Sequence, residues 1–344
     1  MFLVLFLCSA FWGLGIVLNT PKSMRWALIG ILLTAVISMH LVLPADSPLR
    51  MATGETAMPW VLLLGAAGLV WIYRKGLGFL RNRAMKSEQP ETNTPLFSET
   101  ELNRYARHIV MREVGGPGQK ALKNAKVLVI GAGGLGAPVL QYLAAAGVGT
   151  IGVVDDDVVD NANLQRQVIH RDQDIGMPKV FSAQAAMIAQ NPYVNVRPYH
   201  RRLGAADAAE LIADYDMVLD GCDNFETRYL VNSTCVTLGK PLISGALTQW
   251  EGQLSVFDPN NDAPCYRCIF PQAPAPELAP SCAEAGVIGP LPGVIGSMMA
   301  IEAIKLITNA GKPLRGELLI YDALYGESRK ITIEARSDCP VCGG

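Results

Sequence analysis

The sequence predicts an α/β protein, a mixed sheet with helices on both faces, preceded by an N-terminal helical membrane anchor. Three observations predict it. From about residue 98 onward, short β-rich runs alternate with helical stretches, the pattern of a largely parallel sheet covered by helices. One of those runs, Val127–Ile130, enters a glycine-rich turn directly ahead of an Ala/Leu-rich stretch. The first 73 residues carry only five charges: Lys22, Arg25, Asp46, Arg50 and Glu55.

Composition narrows the function classes. The 344 residues hold 29 Lys+Arg against 31 Asp+Glu, a net charge of −2. That balance excludes a general polyanion-binding surface, so no nucleic-acid partner is expected. Half the chain is hydrophobic and 17% is charged, with a mean hydropathy of +0.24. Soluble domains carry about 25% charged residues, so part of this chain is expected outside water, and intrinsic disorder is excluded.

The apolar excess is concentrated at the N-terminus. Runs 2–18, 26–43 and 57–73 are each about 17–18 residues long, the short end of what crosses a hydrocarbon core of roughly 30 Å. Trp12, Trp26, Trp60, Trp71 and Tyr73 lie within or at the edges of these runs, and those at the ends suit interfacial anchoring. Arg74, Lys75, Arg81, Arg83 and Lys86 follow with no acid before Glu88. The positive-inside rule puts that cluster in the cytoplasm, giving about three spans with an exterior N-terminus. Residues 1–86 therefore read as a multi-pass anchor in the inner or plasma membrane, with the rest of the chain cytoplasmic. The alternative, a signal peptide followed by buried helices, lacks its basic n-region, since the first ten residues contain no Lys or Arg. Cys8 is a poor lipoprotein site, and His40 is assigned no role.

Residues 87–97, polar with two prolines, read as a linker, leaving 98–344 as one α/β domain. Ser98 with Glu101 forms a capping-box pattern that opens a helix to about Met111. Strands are expected at 126–130, 150–155, 194–199, 216–219 and 241–245. Later segments near 253–257, 316–322 and 328–334 read as antiparallel.

The chemistry begins at the glycine turn, Gly131-Ala-Gly133-Gly134-Leu-Gly136. Gly131 permits the tight turn, Gly133 lets phosphate approach the backbone, and Gly136 lets the helix pack close to the strand. The helix N-terminus offers unpaired N–H groups to phosphate. Asp155 ends the next strand about 24 residues after Gly131, where an acid accepts hydrogen bonds from a ribose. This Rossmann-like signature does not by itself separate NAD, FAD and ATP.

The residues that follow do separate them. Asp155-Asp156-Asp157, Asn163-Leu-Gln165-Arg166-Gln167, Gly176-Met-Pro-Lys179 and Asp220-Gly-Cys-Asp223-Asn224 supply cations for phosphates and carboxylates for Mg²⁺. A triphosphate site needs both, and hydride transfer has no special use for them.

Gly131–Gly136, Asn163–Gln167, Met177-Pro-Lys179 and Asp223-Asn224 strongly resemble the ubiquitin-activating-like adenylyltransferases of the HesA/MoeB/ThiF family. The resemblance runs from Arg104-Tyr-Ala-Arg107-His108 to the C-terminus. It includes Ser281-Cys-Ala-Glu-Ala-Gly-Val and the segment with Glu302-Ala-Ile-Lys305. It implies a nucleotidyltransferase of the molybdopterin-synthase type with an ATP site. There Asp155 holds the ribose, Arg166 and Lys179 contact the triphosphate, and Asn163 and Gln167 complete the pocket. Asp223 binds Mg²⁺, with Asp157 a weaker candidate in the same cluster. Arg107 matches the family's arginine that reaches the neighbouring subunit's nucleotide, implying a homodimer. The substrate carboxylate implied is the C-terminal Gly-Gly of a ubiquitin-like sulfur-carrier protein, and a separate protein is expected to donate sulfur. The thiamine sulfur carrier is the nearest rival substrate. Further rivals are an NAD-dependent oxidoreductase and a non-catalytic module that docks the carrier.

Cys265-Tyr-Arg-Cys268 and Cys339-Pro-Val-Cys342 form two C-x₂-C pairs about seventy residues apart. Four thiolates suit tetrahedral Zn²⁺ and leave no position for water, so the metal is expected to be structural; disulfides are disfavoured in a reducing cytoplasm. Cys222 and Cys235 read as small buried hydrophobes. Cys282 follows a run containing Pro271, Pro274, Pro276 and Pro280. The resemblance puts it where ThiF-type enzymes carry a cysteine that links covalently to the carrier, while MoeB-type members adenylate without such a thiol acting.

Overall fold

The structure is a computed structural model that describes residues 2–18, 20–44, 46–54, 56–87, 96–274 and 285–343. Most of the expected linker, and Cys282, lie outside the described residues. The chain divides into two compact units, Met1–Thr94 and Pro95–Gly344.

The first unit is helical: α1 (Phe2–Val17), α2 (Lys22–Val42), α3 (Pro48–Thr53) and α4 (Met58–Ser87). Proline marks two of the starts, with Pro21 as the N-cap of α2 and Pro48 in the first turn of α3, where its missing N–H costs nothing. Val4, Leu33, Val36 and Trp60 form a small apolar core. His40 is buried, its Nε2 lying 3.1 Å from Thr53 Oγ1, and Trp60 Nε1 donates to the Thr53 carbonyl at 3.2 Å. These bonds tie α2, α3 and α4 together. Within this unit α2 and the Met58–Leu77 part of α4 are long and apolar enough to cross a membrane. The first apolar run forms a helix of only 16 residues, about 24 Å at 1.5 Å per residue, short of a hydrocarbon core of about 30 Å.

The second unit opens with α5 (Glu99–Arg104), α6 (Ala106–Ile109) and α7 (Gly115–Asn124). The capping box forms: Ser98 Oγ accepts from the Glu101 N–H at 3.2 Å, and Glu101 Oε2 accepts from the Ser98 N–H at 2.9 Å. The helix expected to reach Met111 is instead interrupted at Tyr105. The Tyr105 ring packs against Gly147, and its hydroxyl accepts from Asn191 Nδ2 at 2.8 Å. A tertiary contact thus overrides local helix propensity.

The αβ alternation follows as β1 (Lys126–Ile130), α8 (Gly136–Ala146), β2 (Thr150–Val154), α9 (Lys179–Gln190) and β3 (Asn195–Tyr199). After these come α10 (Ala208–Ala213), β4 (Met217–Asp220), α11 (Phe225–Leu238) and β5 (Leu242–Leu247). The chain then turns antiparallel through β6 (Glu251–Phe257), α12 (Tyr266–Ile269), α13 (Pro290–Thr308), β7 (Glu317–Asp322) and β8 (Glu327–Thr332). The eight strands form one sheet in the order β3-β2-β1-β4-β5-β6-β7-β8. Its first five strands are parallel and the last three antiparallel.

Strand order reverses between β1 and β4, and ligands bind at such a switch point, beyond the carboxyl ends of the strands. Ile130 pairs in register with both Val154 and Asp220, so the loops after β1, β2 and β4 leave the sheet side by side. One face of the sheet carries a core of Val127, Val129, Leu140, Leu143 and Ile151 with Ile295 and Met299 of α13. The other carries Leu128, Ile130, Ile212, Tyr215 and Val218. The α13 helix also passes the length and composition test for a membrane span, yet it packs on α7, α8, β5 and β6.

Candidate active site

Gly131 takes φ +93° and donates its N–H to the Val154 carbonyl at 2.8 Å. A Cβ there would also lie 3.1 Å from the Gly221 oxygen, so conformation and packing both demand glycine. A Cβ on Gly136 would collide with the Gly131 carbonyl, which explains why α8 can start so close to β1. Gly133 is open, its nearest neighbour being Gln167 Nε2 at 3.6 Å from a Cβ built there, while Gly134 faces Pro292 and the Arg166 stem.

The acid beyond β2 holds the turn from its other side. Asp155 Oδ2 accepts the Ala132 N–H at 2.7 Å, and its Oδ1 accepts the Asp157 N–H at 2.8 Å. Each oxygen keeps a lone pair for a further donor. Burial pushes the Asp155 pKa above its ordinary value, opposed by the Lys179 ammonium and these two backbone bonds. Lys179 begins α9. It is buried, its Nζ lies 2.7 Å from Asp157 Oδ2, and its backbone N–H donates to the Asp157 carbonyl. Asp157 itself is exposed. One carboxylate oxygen from each of Asp155, Asp156 and Asp157 lies within 4.8 Å of the others, with Asp156 and Asp157 exposed.

Asn163 lies in a 3₁₀ turn, Asn161–Asn163, and accepts from Gln167 Nε2 at 2.8 Å. Gln167 is buried and its Oε1 has no partner among the described residues. Arg166 is half-buried, with Nη1 donating to the Ala162 carbonyl at 3.1 Å. Asp223 is exposed on the loop after β4. Asn224 caps α11, accepting the Thr227 N–H at 2.9 Å. Thus close contacts join Ala132 to Asp155, Asp157 to Lys179, Asn163 to Gln167, and the glycine loop at Gly133 and Gly134 to Gln167 and Arg166, with Asp223 on the adjoining loop. Arg107 does not join them through any hydrogen bond or ion pair among the described residues; it is exposed on α6.

Sequence reasoning missed His170. It is buried, with Nε2 2.9 Å from the Ala132 carbonyl and Nδ1 2.8 Å from Ser182 Oγ, which in turn donates to Asp174 Oδ2 at 2.7 Å. Ala132 is therefore held by Asp155 at its N–H and by His170 at its carbonyl. Val168 and Ile169 before it give a weak hint of burial that Arg171 and Asp172 after it cancel, and its partner lies 38 residues away. Arg228, buried beside Asp220, was missed for the same reason.

The four paired cysteines converge. Sγ–Sγ separations are 3.9 Å for Cys265–Cys268, 3.6 Å for Cys265–Cys339 and 3.4 Å for Cys268–Cys342. Four sulfurs about 2.3 Å from a tetrahedral zinc stand about 3.8 Å apart, so the set fits that metal. None of the four is in a disulfide.

The profile of the ThiF family matches residues 105–341. The chain belongs to the ThiF family. The sulfur carrier protein adenylyltransferase of Thermus thermophilus is 52% identical over 251 residues, covering 72% of this chain and 93% of that protein. The SAMP-activating enzyme E1 of Haloferax volcanii is 50% identical over 244 residues, 71% of this chain and 90% of the relative. With the adenylyltransferase and sulfurtransferase MOCS3 of Xenopus laevis, identity is 44% over 254 residues, but the match spans only 56% of that protein. Among solved structures, E. coli MccB with ATP superposes with a TM-score of 0.63 at 24% identity, over 73% of this chain and 76% of that one. That likeness shows a shared fold. The ThiF-family match lies wholly within the second unit.

Proposed function

We propose that this ThiF-family chain catalyses ATP- and Mg²⁺-dependent adenylation of the C-terminal Gly-Gly carboxylate of a ubiquitin-like sulfur-carrier protein, releasing pyrophosphate. We take the carrier to be that of molybdopterin synthesis, with the thiamine sulfur carrier as the alternative. The observation that carries the reading is the Ala132–Asp155 bond. It binds the glycine loop to an acid with spare acceptor capacity, with Arg166 beside Gly134 and Lys179 paired to Asp157 next to that acid.

The reaction joins two anions. A carboxylate oxygen attacks the α-phosphorus, a new O–P bond forms, and the bridging P–O bond breaks with its electron pair leaving on pyrophosphate. In water the reactants repel. Asp155 accepts from the ribose hydroxyls and so orients the α-phosphate, while the glycine-loop amides approach the phosphates. Arg166 and Lys179 offset the charge that gathers on pyrophosphate, a kind of contribution commonly worth about 3–4 kcal/mol per group removed. For Lys179 this requires sharing its ammonium between Asp157 and phosphate. Asp223, with Asp157 assisting, would hold the Mg²⁺, which supplies further charge neutralisation.

The Cys265, Cys268, Cys339 and Cys342 set holds a structural zinc that ties the C-terminal tail to α12. Arg107 acts in trans in a homodimer, sulfur comes from a separate protein, and residues 1–86 anchor the enzyme at the membrane. Exchange of labelled pyrophosphate into ATP tests the reaction. We expect exchange that depends on Mg²⁺ and on the molybdopterin-type carrier; preference for the thiamine-type carrier reassigns the pathway, and no exchange with any diglycine carrier overturns the reading.

A further inference from the structure

Asp220 closes β4 with its carboxylate fully buried, and Arg228 of α11 is buried beside it, Nε lying 3.4 Å from Asp220 Oδ2. Beside this ion pair the guanidinium makes three hydrogen bonds. Nη1 donates to Ser244 Oγ at 3.1 Å and to the Gly245 carbonyl at 3.0 Å, and Nη2 donates to the Cys222 carbonyl at 2.7 Å. Asp220 completes the circuit, accepting from the Ser244 hydroxyl at 2.9 Å and from the Cys222 N–H at 3.0 Å. The cation also lies 5.7 Å from the Tyr266 ring centroid.

The circuit grips Cys222 at both its N–H and its carbonyl. That carbonyl belongs to the peptide linking Cys222 to Asp223, so the guanidinium sets the plane from which the Asp223 side chain departs. The same loop packs on the glycine turn: Gly221 donates to the Ile130 carbonyl at 2.9 Å and abuts Gly131. A buried ion pair is a poor device for stability alone, since well-packed apolar residues do as well or better. A planar fork with donors in fixed directions suits three acceptors at set angles, which a lysine cannot serve.

We propose that Arg228 is a positioning residue for the metal–nucleotide complex. By holding the Cys222–Asp223 peptide it aims the Asp223 carboxylate at the divalent cation. The inference rests on the reading of Asp223 as the Mg²⁺ holder.

The test uses the full-length protein in detergent with a non-hydrolysable ATP analogue, and Mn²⁺ as the probe read by electron paramagnetic resonance. Arg228→Lys keeps a positive charge beside Asp220 but loses the fork. We expect its Mn²⁺ dissociation constant to rise by about tenfold or more, the usual cost of losing a residue behind a metal ligand, with metal-free binding of the analogue unchanged. Ser244→Ala, which removes one acceptor from the fork, should move Mn²⁺ affinity in the same direction by less; it decides the matter if the lysine variant does not fold. An unchanged Mn²⁺ constant in the folded variant, or an equal loss of metal-free nucleotide binding, overturns the proposal. Asp223→Asn is the reference. A loss there without one in Arg228→Lys rejects Arg228 alone, whereas no loss there rejects Asp223 as the metal's holder and the inference with it.

Discussion

Lys179 combines a buried ammonium with an exposed partner: its side chain is 6% exposed and that of Asp157 is 66% exposed. Asp157 stays solvated once the ammonium is gone, so Lys179→Met should lower the melting temperature only modestly, through Asp155, which loses the cation that offsets its burial. Pyrophosphate exchange should fall by about a hundredfold or more, as it does when one charge-stabilising group is lost. His170 makes a pH prediction. Burial pushes its pKa below the ordinary value, and the Lys179 ammonium acts the same way, against the pull of the Ala132 carbonyl, Asp155 and Asp174. In the unfolded chain this imidazole takes up its proton near pH 6.5, in the folded one only at lower pH, so its contribution to stability is full above about 6.5 and declines as the pH falls below it. His170→Gln keeps a donor for the Ala132 carbonyl but cannot titrate. Its urea midpoint should vary less with acidification than that of the wild type. Such groups divide what the sequence reveals from what it hides. Gly131, Asp155, Arg166 and Lys179 are legible because a phosphate site needs those types at short, ordered spacings. His170 grips backbone 38 residues away, and Arg228 and Ser244 close a buried circuit with Asp220 across separate elements, which no local pattern records.

Elements were legible where burial imposes a period. The eight strands fall within two residues of the runs expected; the central β1, β2 and β4 are legible because a buried strand must be apolar along its length, whereas β8 is exposed throughout and shows only alternation. Where tertiary contacts decide, the pattern misleads: Tyr105 breaks an otherwise helical stretch, and α13 is apolar enough for a bilayer yet lies in the core. The junction of β1 and α8 carries its own prediction. Gly136→Ala puts a methyl group into the Gly131 carbonyl, and overpacking of this kind typically costs about 1–3 kcal/mol. The loop must shift to relieve it, so ATP affinity should drop along with the denaturation midpoint. At the other end of the sheet, the cysteine set joins α12 to the segment after β8. If it holds zinc, a strong chelator should release about one metal per chain and expose the stretch around Arg336–Cys342 to protease, leaving β1–α8 protected. Metal-free protein with the same digestion pattern would count against a structural zinc.

At the scale of the whole molecule, the two units have opposite surfaces. In the second, large apolar side chains are mostly inside. In the first they face outward: Phe6 is 70% exposed, Ile31 67%, Leu62 65% and Trp71 63%. An apolar surface that extends over several helices calls for a cover, either lipid or another protein. Lipid is favoured by length, since α2, with 21 residues, reaches about 32 Å, and by the basic run Arg74–Lys86 that follows the third apolar stretch, which suits an anionic cytoplasmic leaflet. The full chain should therefore stay with membranes through an alkaline carbonate wash, and residues 95–344 expressed alone should remain in the supernatant. Because the glycine loop, Asp155, Lys179, Asp223 and the Asp220–Arg228 circuit all lie within the second unit, that fragment should exchange pyrophosphate at the rate of the full chain in detergent. Release of the full chain by carbonate would point to a protein cover, and a fragment that folds but does not exchange would make the helical unit part of the catalyst.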